Sequence, residues 1–291
     1  MEWVQQIVNG ISLGSIYALI ALGYTMVYGI IKLINFAHGE VFMIGAFVGF
    51  YSIAGWGFGF FPALLLAMTV CAIMGMVIER VAYRRLRNAT RIAALITAIG
   101  ISLFIQYLVI YFRGAQPEAY PNVLSNKTFD FFGAQISSQS VMILSTSIVL
   151  MLLLQFIVHK TKVGKAMRAV SHDMDAARLM GINVNTTISA TFAIGSSLAG
   201  AAGVFFGVYY TKIEPLMGVI PGLKAFVAAV LGGIGIIPGA MVGGLVLGLV
   251  ETVVSAFGYS LWRDAAAFII LILILLFKPS GIFGKNAREK V

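Results

Sequence analysis

Several features that most soluble proteins share are scarce in this chain of 291 residues. Its single cysteine, Cys71, lies within an apolar run, which excludes an intrachain disulfide and a cysteine-based metal cluster. Charged residues make up 11% of the chain, whereas soluble domains contain about 25%. Acidic residues are particularly few, with 11 Asp and Glu against 20 Lys and Arg. This composition excludes an ordinary soluble domain.

The sequence also lacks the motifs of a nucleotide-binding enzyme. The pairs Gly164-Lys165 and Gly284-Lys285 are followed by Ala166 and Asn286, whereas a phosphate-binding loop requires Ser or Thr there. We therefore expect no bound nucleotide and no cofactor in this chain, so that energy for any work comes from another subunit or from an ion gradient. No Ser-His-Asp set or pair of catalytic carboxylates is evident, and we predict that the chain is not an enzyme.

Long apolar runs fill the chain instead, and 60% of its residues are hydrophobic. Several runs approach the ~20 apolar residues that cross a bilayer as a helix. They are continuous and too long for the alternating strands of about 10 residues in a membrane β-barrel. The chain is therefore predicted to be an all-α polytopic membrane protein. The runs are roughly 7–30, 41–55, 61–78, 92–112, 139–158, 187–210, 223–237, 239–258 and 265–277.

The number of crossings depends on two short runs, 41–55 and 223–237, which contain several glycines. Each is either a tilted half-span or a re-entrant segment, so we expect about seven to nine transmembrane helices. The longest polar stretches, 113–138 and 159–186, are too short for a soluble core. Residues 1–291 are therefore predicted to form a single transmembrane domain.

Fourteen of the 20 basic residues lie in three stretches, and this fixes a predicted topology. Lys and Arg collect on the cytoplasmic side of membrane proteins, near anionic lipid. We therefore expect all three stretches and the C-terminus in the cytoplasm, the N-terminus outside, and no nucleic-acid partner. The residues are Arg80, Arg84, Arg85, Arg87 and Arg91; Lys160, Lys162, Lys165, Arg168 and Arg178; and Lys278, Lys285, Arg288 and Lys290.

The second basic stretch contains a short predicted helix at about 174–180. Asp173 is suited to cap its first N–H groups, and Asp175 falls in the first turn, where the helix dipole favours an anion. Gly181 is suited to close the helix in the left-handed conformation. So short a helix is marginal alone, so it either packs against its own loop or docks into a partner protein.

The same segment carries a motif. Asp175-Ala176-Ala177-x-x-x-Gly181 resembles the Glu-Ala-Ala-x-x-x-Gly loop of the permeases of ABC importers, with Asp in place of Glu. The resemblance implies that the loop at about 159–186, which also contains Arg168 and Asp173, is a cytoplasmic coupling loop that contacts the ATPase subunit. Ile182-Asn183-Val184 replaces the Leu-Pro of the broader motif.

Two further stretches resemble branched-chain amino acid permeases of ABC importers. One is Asn35-Phe36-Ala37-His38-Gly39-Glu40, and the other runs from Lys224-Ala225-Phe226 to Gly243-Gly244. The resemblance covers nearly the whole chain and is greatest to the H-type permease subunit. It implies a bacterial inner-membrane protein that works with a second homologous permease, two cytoplasmic ATPases that use ATP, and a periplasmic binding protein that delivers Leu, Ile or Val.

Four polar residues are candidates for the translocation pathway: Asn35, His38, Glu40 and Glu251. The first three lie where a break interrupts two spans, and such breaks often line transport pathways. The alternative is that the break is a tight turn that Asn35 caps. Glu251 lies deep in its run and is either a hydrogen-bonded structural residue or a proton-binding group. His38 is far in sequence from His159 and His172, and no metal site is predicted.

These observations predict the permease subunit of an ABC importer for branched-chain amino acids. Related permeases that carry urea, amides or other amino acids share the quoted motifs. A different class is a proton-coupled secondary carrier that uses Glu251. A membrane scaffold without transport activity has no need of a coupling-type loop.

Overall fold

The computed structural model describes residues 2–87, 89–123, 128–131 and 134–284. Within these residues seven helical stretches are long and apolar enough to cross a membrane: Trp3–Ile31, Phe60–Leu86, Ile92–Arg113, Ser138–Lys160, Val184–Tyr210, Ile237–Ala256 and Ser260–Phe277. This confirms the prediction of an all-α polytopic membrane protein. In chain order the helices are α1 (Glu2–Ile31), α2 (His38–Ala54), α3 (Phe60–Ile78), α4 (Arg84–Leu86), α5 (Arg91–Arg113), α6 (Ser138–Lys160), α7 (Lys162–His172), α8 (Met174–Leu179), α9 (Val184–Tyr210), α10 (Val219–Gly232), α11 (Ile237–Ala256) and α12 (Arg263–Phe277).

The two short apolar runs form α2 and α10, which have 17 and 14 residues. At 1.5 Å per residue they span about 26 and 21 Å, less than the ~30 Å of a bilayer core. The predicted run 223–237 was wrong at both ends, because α10 begins at Val219 and ends at Gly232. Gly233 and Gly235 follow with φ of 105° and 94°, which only glycine adopts readily.

The first of these short helices, α2, begins inside the bundle. A Cβ placed on Gly23 would collide with the imidazole of His38, the first residue of α2. Gly23 lies eight residues before the end of α1 at Ile31, which is about 12 Å along the helix axis. Residues 32–37 therefore return from the end of α1 into the bundle before α2 starts.

The start of α10 meets the start of α2 at this depth. A Cβ on Gly39 would collide with the carbonyl oxygen of Gly218, and one on Gly222 would lie 3.0 Å from the Cα of Gly39. Only glycine allows backbones to approach this closely. Two helix N-termini therefore face each other within the bundle.

Small residues at four-residue spacing, such as Gly10 and Gly14, make the rest of the core equally tight. A Cβ on Gly14 of α1 would lie 2.8 Å from the Cα of Leu245 on α11. One on Gly45 of α2 would lie 2.5 Å from the Cα of Gly200 on α9. Such contacts let helices pack where lipid supplies no hydrophobic drive for association.

Short strands mark one end of the bundle. β1 (Glu118–Ala119) follows α5 and pairs antiparallel with β4 (Lys212–Ile213), which follows α9. An antiparallel pair of strands, β2 (Thr128–Phe131) and β3 (Ala134–Ser137), precedes α6. The C-terminal ends of α5 and α9 therefore lie together, at the end of the bundle that was predicted to be external.

The basic stretches lie at the opposite end. Arg87 donates a 2.6 Å hydrogen bond to Oδ1 of Asn185, at the start of α9. The N–H of Ile282, after α12, donates to the carbonyl of Leu231 at the end of α10. Arg168 of α7 lines a small cavity with Gly235, which lies just beyond α10. The basic residues Lys285, Arg288 and Lys290 lie outside the described residues.

Candidate functional site

The basic loop, residues 159–186, folds into two helices between α6 and α9. The side chain of Thr161 accepts from the N–H of Gly164 and so caps α7. A Cβ on Gly164 would collide with the carbonyls of Ile157 and Val158. A guanidinium N–H of Arg168 donates to the carbonyl of Val158. The predicted loop residue Arg168 therefore fastens α7 against the end of α6.

The second helix of the loop, α8, has the caps that the sequence predicts. Oδ1 of Asp173 accepts from the N–H groups of Asp175 and Ala176 at 2.8 and 2.9 Å. The hydrogen bonds from Ala176 and then Asp175 hold the pKa of Asp173 below its usual value, because they stabilise the carboxylate. Asp175 is exposed and pairs with Arg178 at 2.8 Å.

The end of α8 is closed by a Schellman motif around Gly181, which has φ of 81°. The N–H of Gly181 donates to the carbonyl of Arg178, and the N–H of Ile182 donates to the carbonyl of Ala177. Those two bonds define the motif. The helix ends at Leu179, one residue before the predicted end.

The structure adds two apolar residues that the sequence did not single out. Leu179 and Met180 are 89% and 82% exposed, whereas Ala177 of the same short helix is buried. Since α8 has too few residues to be stable alone, its caps and Ala177 hold it on the bundle. Leu179 and Met180, which we call the apolar tip of α8, face away from the bundle.

A buried carboxylate connects this loop to α3. Glu79, at the start of a π-helix (Glu79–Tyr83) that continues α3, is fully buried. It pairs with Arg84 at 3.1 Å and also with Arg87. The hydroxyl of Ser189 donates to it at 2.6 Å. Ser189 lies in the second turn of α9, just after the loop. The extension of α3 is therefore bonded to the start of α9 here as well as through Arg87 and Asn185.

Within the bundle, the predicted pathway residues fall into separate places. Oδ1 of Asn35 accepts from the hydroxyl of Tyr83 at 3.1 Å. Residues 35–38 do form a tight turn, in which the N–H of His38 donates to the carbonyl of Asn35. The predicted cap was wrong, because the N-cap of α2 is Ala37 and no side-chain cap is present there among the described residues. His38 is buried and packs edge-on against Tyr24, with 4.8 Å between the ring centroids.

Glu40 lies in a cavity, which we call the Glu40 cavity, of about 370 Å³. Its Oε1 accepts from Nε2 of Gln106 at 2.7 Å and from the hydroxyl of Ser102 at 3.1 Å. Ser102 and Gln106 share a face of α5, since they are four residues apart. That polar pair within an apolar span is the signal through which the sequence marks this site.

Glu251 lies apart from the Glu40 cavity and has a cationic partner that the sequence analysis missed. Nζ of Lys224 on α10 lies 2.9 Å from Oε1 of Glu251 and 2.6 Å from Oδ1 of Asp264. The hydroxyl of Tyr17 donates to Oε2 of Glu251 at 3.1 Å. A lone lysine and a lone glutamate within apolar runs are the signal for such a pair, because buried charges in membranes pair.

Comparisons with known proteins agree with the motifs. The family described as "Branched-chain amino acid transport system / permease component" matches residues 6–277. The high-affinity branched-chain amino acid transport system permease protein LivH of Escherichia coli (strain K12) is 45% identical, over all of this chain and 98% of the relative. BraD of Pseudomonas aeruginosa, named likewise, is also 45% identical over the same shares.

A more distant relative is the probable branched-chain amino acid transport permease protein LivH of Methanocaldococcus jannaschii. It is 29% identical over 94% of this chain and 90% of the relative. No solved structure matches the chain significantly. The extent of the family match and the 45% identity over the full length leave one conclusion: the chain belongs to the family of permease components of branched-chain amino acid transport systems.

Proposed function

We propose that this chain is the transmembrane permease subunit of an ATP-driven ABC importer that moves leucine, isoleucine and valine across a bacterial inner membrane. The observation that carries the proposal is α8, a capped two-turn helix with an outward-facing apolar tip at the end of a basic loop. Family membership supports the solute class, and the names of the relatives support high-affinity import.

In this proposal α8 docks into a groove on a cytoplasmic ATPase. Short helices present a few anchor residues to such grooves, and Leu179 and Met180 are the anchors available here. Burial of two side chains of this size stabilises a complex by roughly 1.5–3 kcal/mol each. The motif residues Asp173, Asp175, Ala176, Ala177 and Gly181 then shape the helix rather than supply the contact energy, while Arg168 holds the loop on the bundle.

Movement of α8 can be transmitted to the bundle through contacts at the start of α9. Asn185 and Ser189 lie in the first two turns of α9, directly after α8, and Arg87 and Glu79 bind them. A displacement of the loop by the ATPase would therefore pull on α3 as well as on α9. We propose that this double attachment converts ATPase closure into a change between outward- and inward-facing states.

The proposed assembly contains two ATPase subunits, a second homologous permease and an external solute-binding protein. ATP is bound and hydrolysed on the ATPases, and this chain holds no nucleotide. The basic end of the bundle faces the cytoplasm, which leaves the N-terminus of α1 outside and the end of α12 inside. The positive charge of the basic stretches supports this orientation, since it is favoured beside anionic lipid.

The experiment that tests this function is isolation of the tagged chain from its native host in mild detergent after crosslinking. We expect an ATPase with a phosphate-binding loop, a second permease, and a binding protein that carries a branched-chain amino acid. If the isolated binding protein carries urea or an amide, the chain is still part of an importer, but the proposed solute is wrong. If the crosslinked chain is isolated without any ATPase, the proposal of an ABC importer is overturned and the proton-coupled carrier is favoured.

A further inference from the structure

The Glu40 cavity lies where the N-termini of α2 and α10 meet. Gly39 and Gly218 bring the two backbones into contact at its edge. Apolar side chains form most of its wall, together with the polar groups of Glu40, Ser102 and Gln106. The apolar side chains include Phe36, Ile99, Leu103, Val219 and Leu223.

The carboxylate of Glu40 has unused bonding capacity. Glu40 is 1% exposed, and both hydrogen bonds from α5 go to its Oε1. Its Oε2 has no hydrogen-bond partner among residues 2–87, 89–123, 128–131 and 134–284. None of the ion pairs formed within those residues includes Glu40. A buried carboxylate without a cation is costly. Oε2 lies against Gly218 and is closed to solvent, so the carboxylate must turn towards the cavity to receive a cation.

A cation that enters the cavity meets two further features. The N-terminus of α10, a helix of 14 residues, begins at the N-cap Gly218, which has no side chain to cap it, and borders the cavity at Gly218 and Val219. Among the first three residues of α10, Val219 donates its N–H to the carbonyl of Leu216 and Pro221 has no N–H, so the N–H of Ile220 is the one offered to an anion. Helix N-termini favour anions, because such N–H groups lack partners and the helix dipole is positive there. Broken transmembrane helices use this arrangement for solute carboxylates. The apolar wall is suited to an aliphatic side chain.

We propose that the Glu40 cavity binds the transported amino acid as a zwitterion, with its ammonium group on Oε2 of Glu40 and its carboxylate at the N-terminus of α10. The inference rests on the proposed function and makes it more specific. It assigns recognition of charge to this permease, in addition to any selection by a binding protein. It also predicts that neutral solutes such as urea bind this cavity poorly, because they supply no cation for Glu40.

The probe is the photoactivatable diazirine analogue of leucine, applied to the complete transporter in nanodiscs and located by mass spectrometry. Label is expected on segments 99–106 of α5 and 219–223 of α10. An excess of leucine should remove it. An equal excess of 4-methyl-2-oxopentanoate, which has the same skeleton without the ammonium group, should not. Label elsewhere, or equal competition by the oxo acid, would overturn the proposal.

A charge variant gives a second test. Glu40→Gln should reduce labelling by about tenfold or more, as expected when a charged hydrogen-bond partner becomes neutral. Glu40→Asp keeps the charge and should recover part of the labelling. Glu214→Gln is the matched control, because Glu214 pairs with Lys212 at the surface, and it should label as the wild type does. Wild-type labelling in Glu40→Gln would overturn the proposal.

The two proposals fail differently. If the wild-type transporter does not accumulate leucine, the proposed function fails. If it accumulates leucine but the label is insensitive to the ammonium group, only the cavity assignment fails. If Glu40→Gln does not assemble with its partners, the competition experiment on the wild type is the test of the cavity assignment.

Discussion

Nζ of Lys224 and Oε1 of Glu251 lie 2.9 Å apart inside the bundle, with both side chains almost fully buried. Asp264 and Tyr17 complete the set of groups around them. Each oxygen of the Glu251 carboxylate therefore has a partner on another helix. The arrangement favours a structural role for Glu251, and it joins α10, α11 and α1.

The first prediction concerns this pair. Lys224→Met removes the cation between Glu251 and Asp264, and loss of one partner from a buried ion pair costs about 3–5 kcal/mol. The thermal unfolding temperature of the purified chain in detergent should fall clearly. The double variant Lys224→Met/Glu251→Met should recover much of the loss, because no buried charge is left without its partner. Additive losses would show that the two side chains do not interact.

The sequence predicts most of this fold because its signals are strong. Nine apolar runs of 13 to 24 residues predict the positions of nine helices, and the glycines at spacing four predict a tightly packed bundle. The junction of α2 and α10 is not predictable in the same way. It depends on Gly39 and Gly218, which are 179 positions apart, and on the tertiary contact between them.

The candidate site, like the fold, was predictable from the sequence only in part. The caps of α8 are local and follow from Asp173 and Gly181. Partners from distant helices do not follow from local patterns, so Lys224 and Gln106 were missed although each is a polar residue within an apolar run. The exposed tip of α8 was also missed, because the position of Leu179 relative to the bundle depends on how the loop packs.

The second prediction concerns Gly181. Its φ of 81° is strained for any other residue, and a β-branched side chain there costs about 1–3 kcal/mol. Gly181→Val should therefore distort the end of α8, and leucine uptake should fall while insertion of the chain into the membrane is unchanged. Gly114→Val is the matched control, since Gly114 has φ of 79° and open space around it at the other end of the bundle. If both variants lose uptake equally, the claim that the end of α8 is specifically required for transport is contradicted.

The third prediction concerns the apolar tip. Leu179→Ala should leave the chain folded, since the side chain is 89% exposed. It should weaken binding of the ATPase subunit by at least about 1 kcal/mol, the loss typical of an anchor at an interface. Binding is measured by titration of the purified ATPase onto the permease in nanodiscs. Leu261→Ala, in the turn before α12 and 97% exposed, is the control and should bind as the wild type does. Unchanged affinity in Leu179→Ala would place the ATPase contact elsewhere.

The fourth prediction concerns Glu79. Glu79→Ala leaves Arg84 and Arg87 beside each other without their carboxylate. Hydrogen exchange at residues 183–189 should accelerate, because the start of α9 loses the anchor that Ser189 bonds. A loss of at least about 1 kcal/mol is expected for such a charged hydrogen-bond partner. Glu118→Ala breaks the Arg113–Glu118 pair at the surface and should leave exchange at 183–189 unchanged. If the two variants exchange alike, Glu79 does not hold the loop.

The central claim is that this chain is the permease of an ATP-driven importer, and reconstitution tests it most directly. The chain is placed in proteoliposomes with its ATPases, second permease and binding protein, and uptake of radiolabelled leucine is measured with ATP on the ATPase side. We predict accumulation that requires both ATP and this chain and persists in the presence of an uncoupler. Accumulation driven by an imposed proton gradient without ATP, or unaffected when this chain is omitted, would contradict the claim.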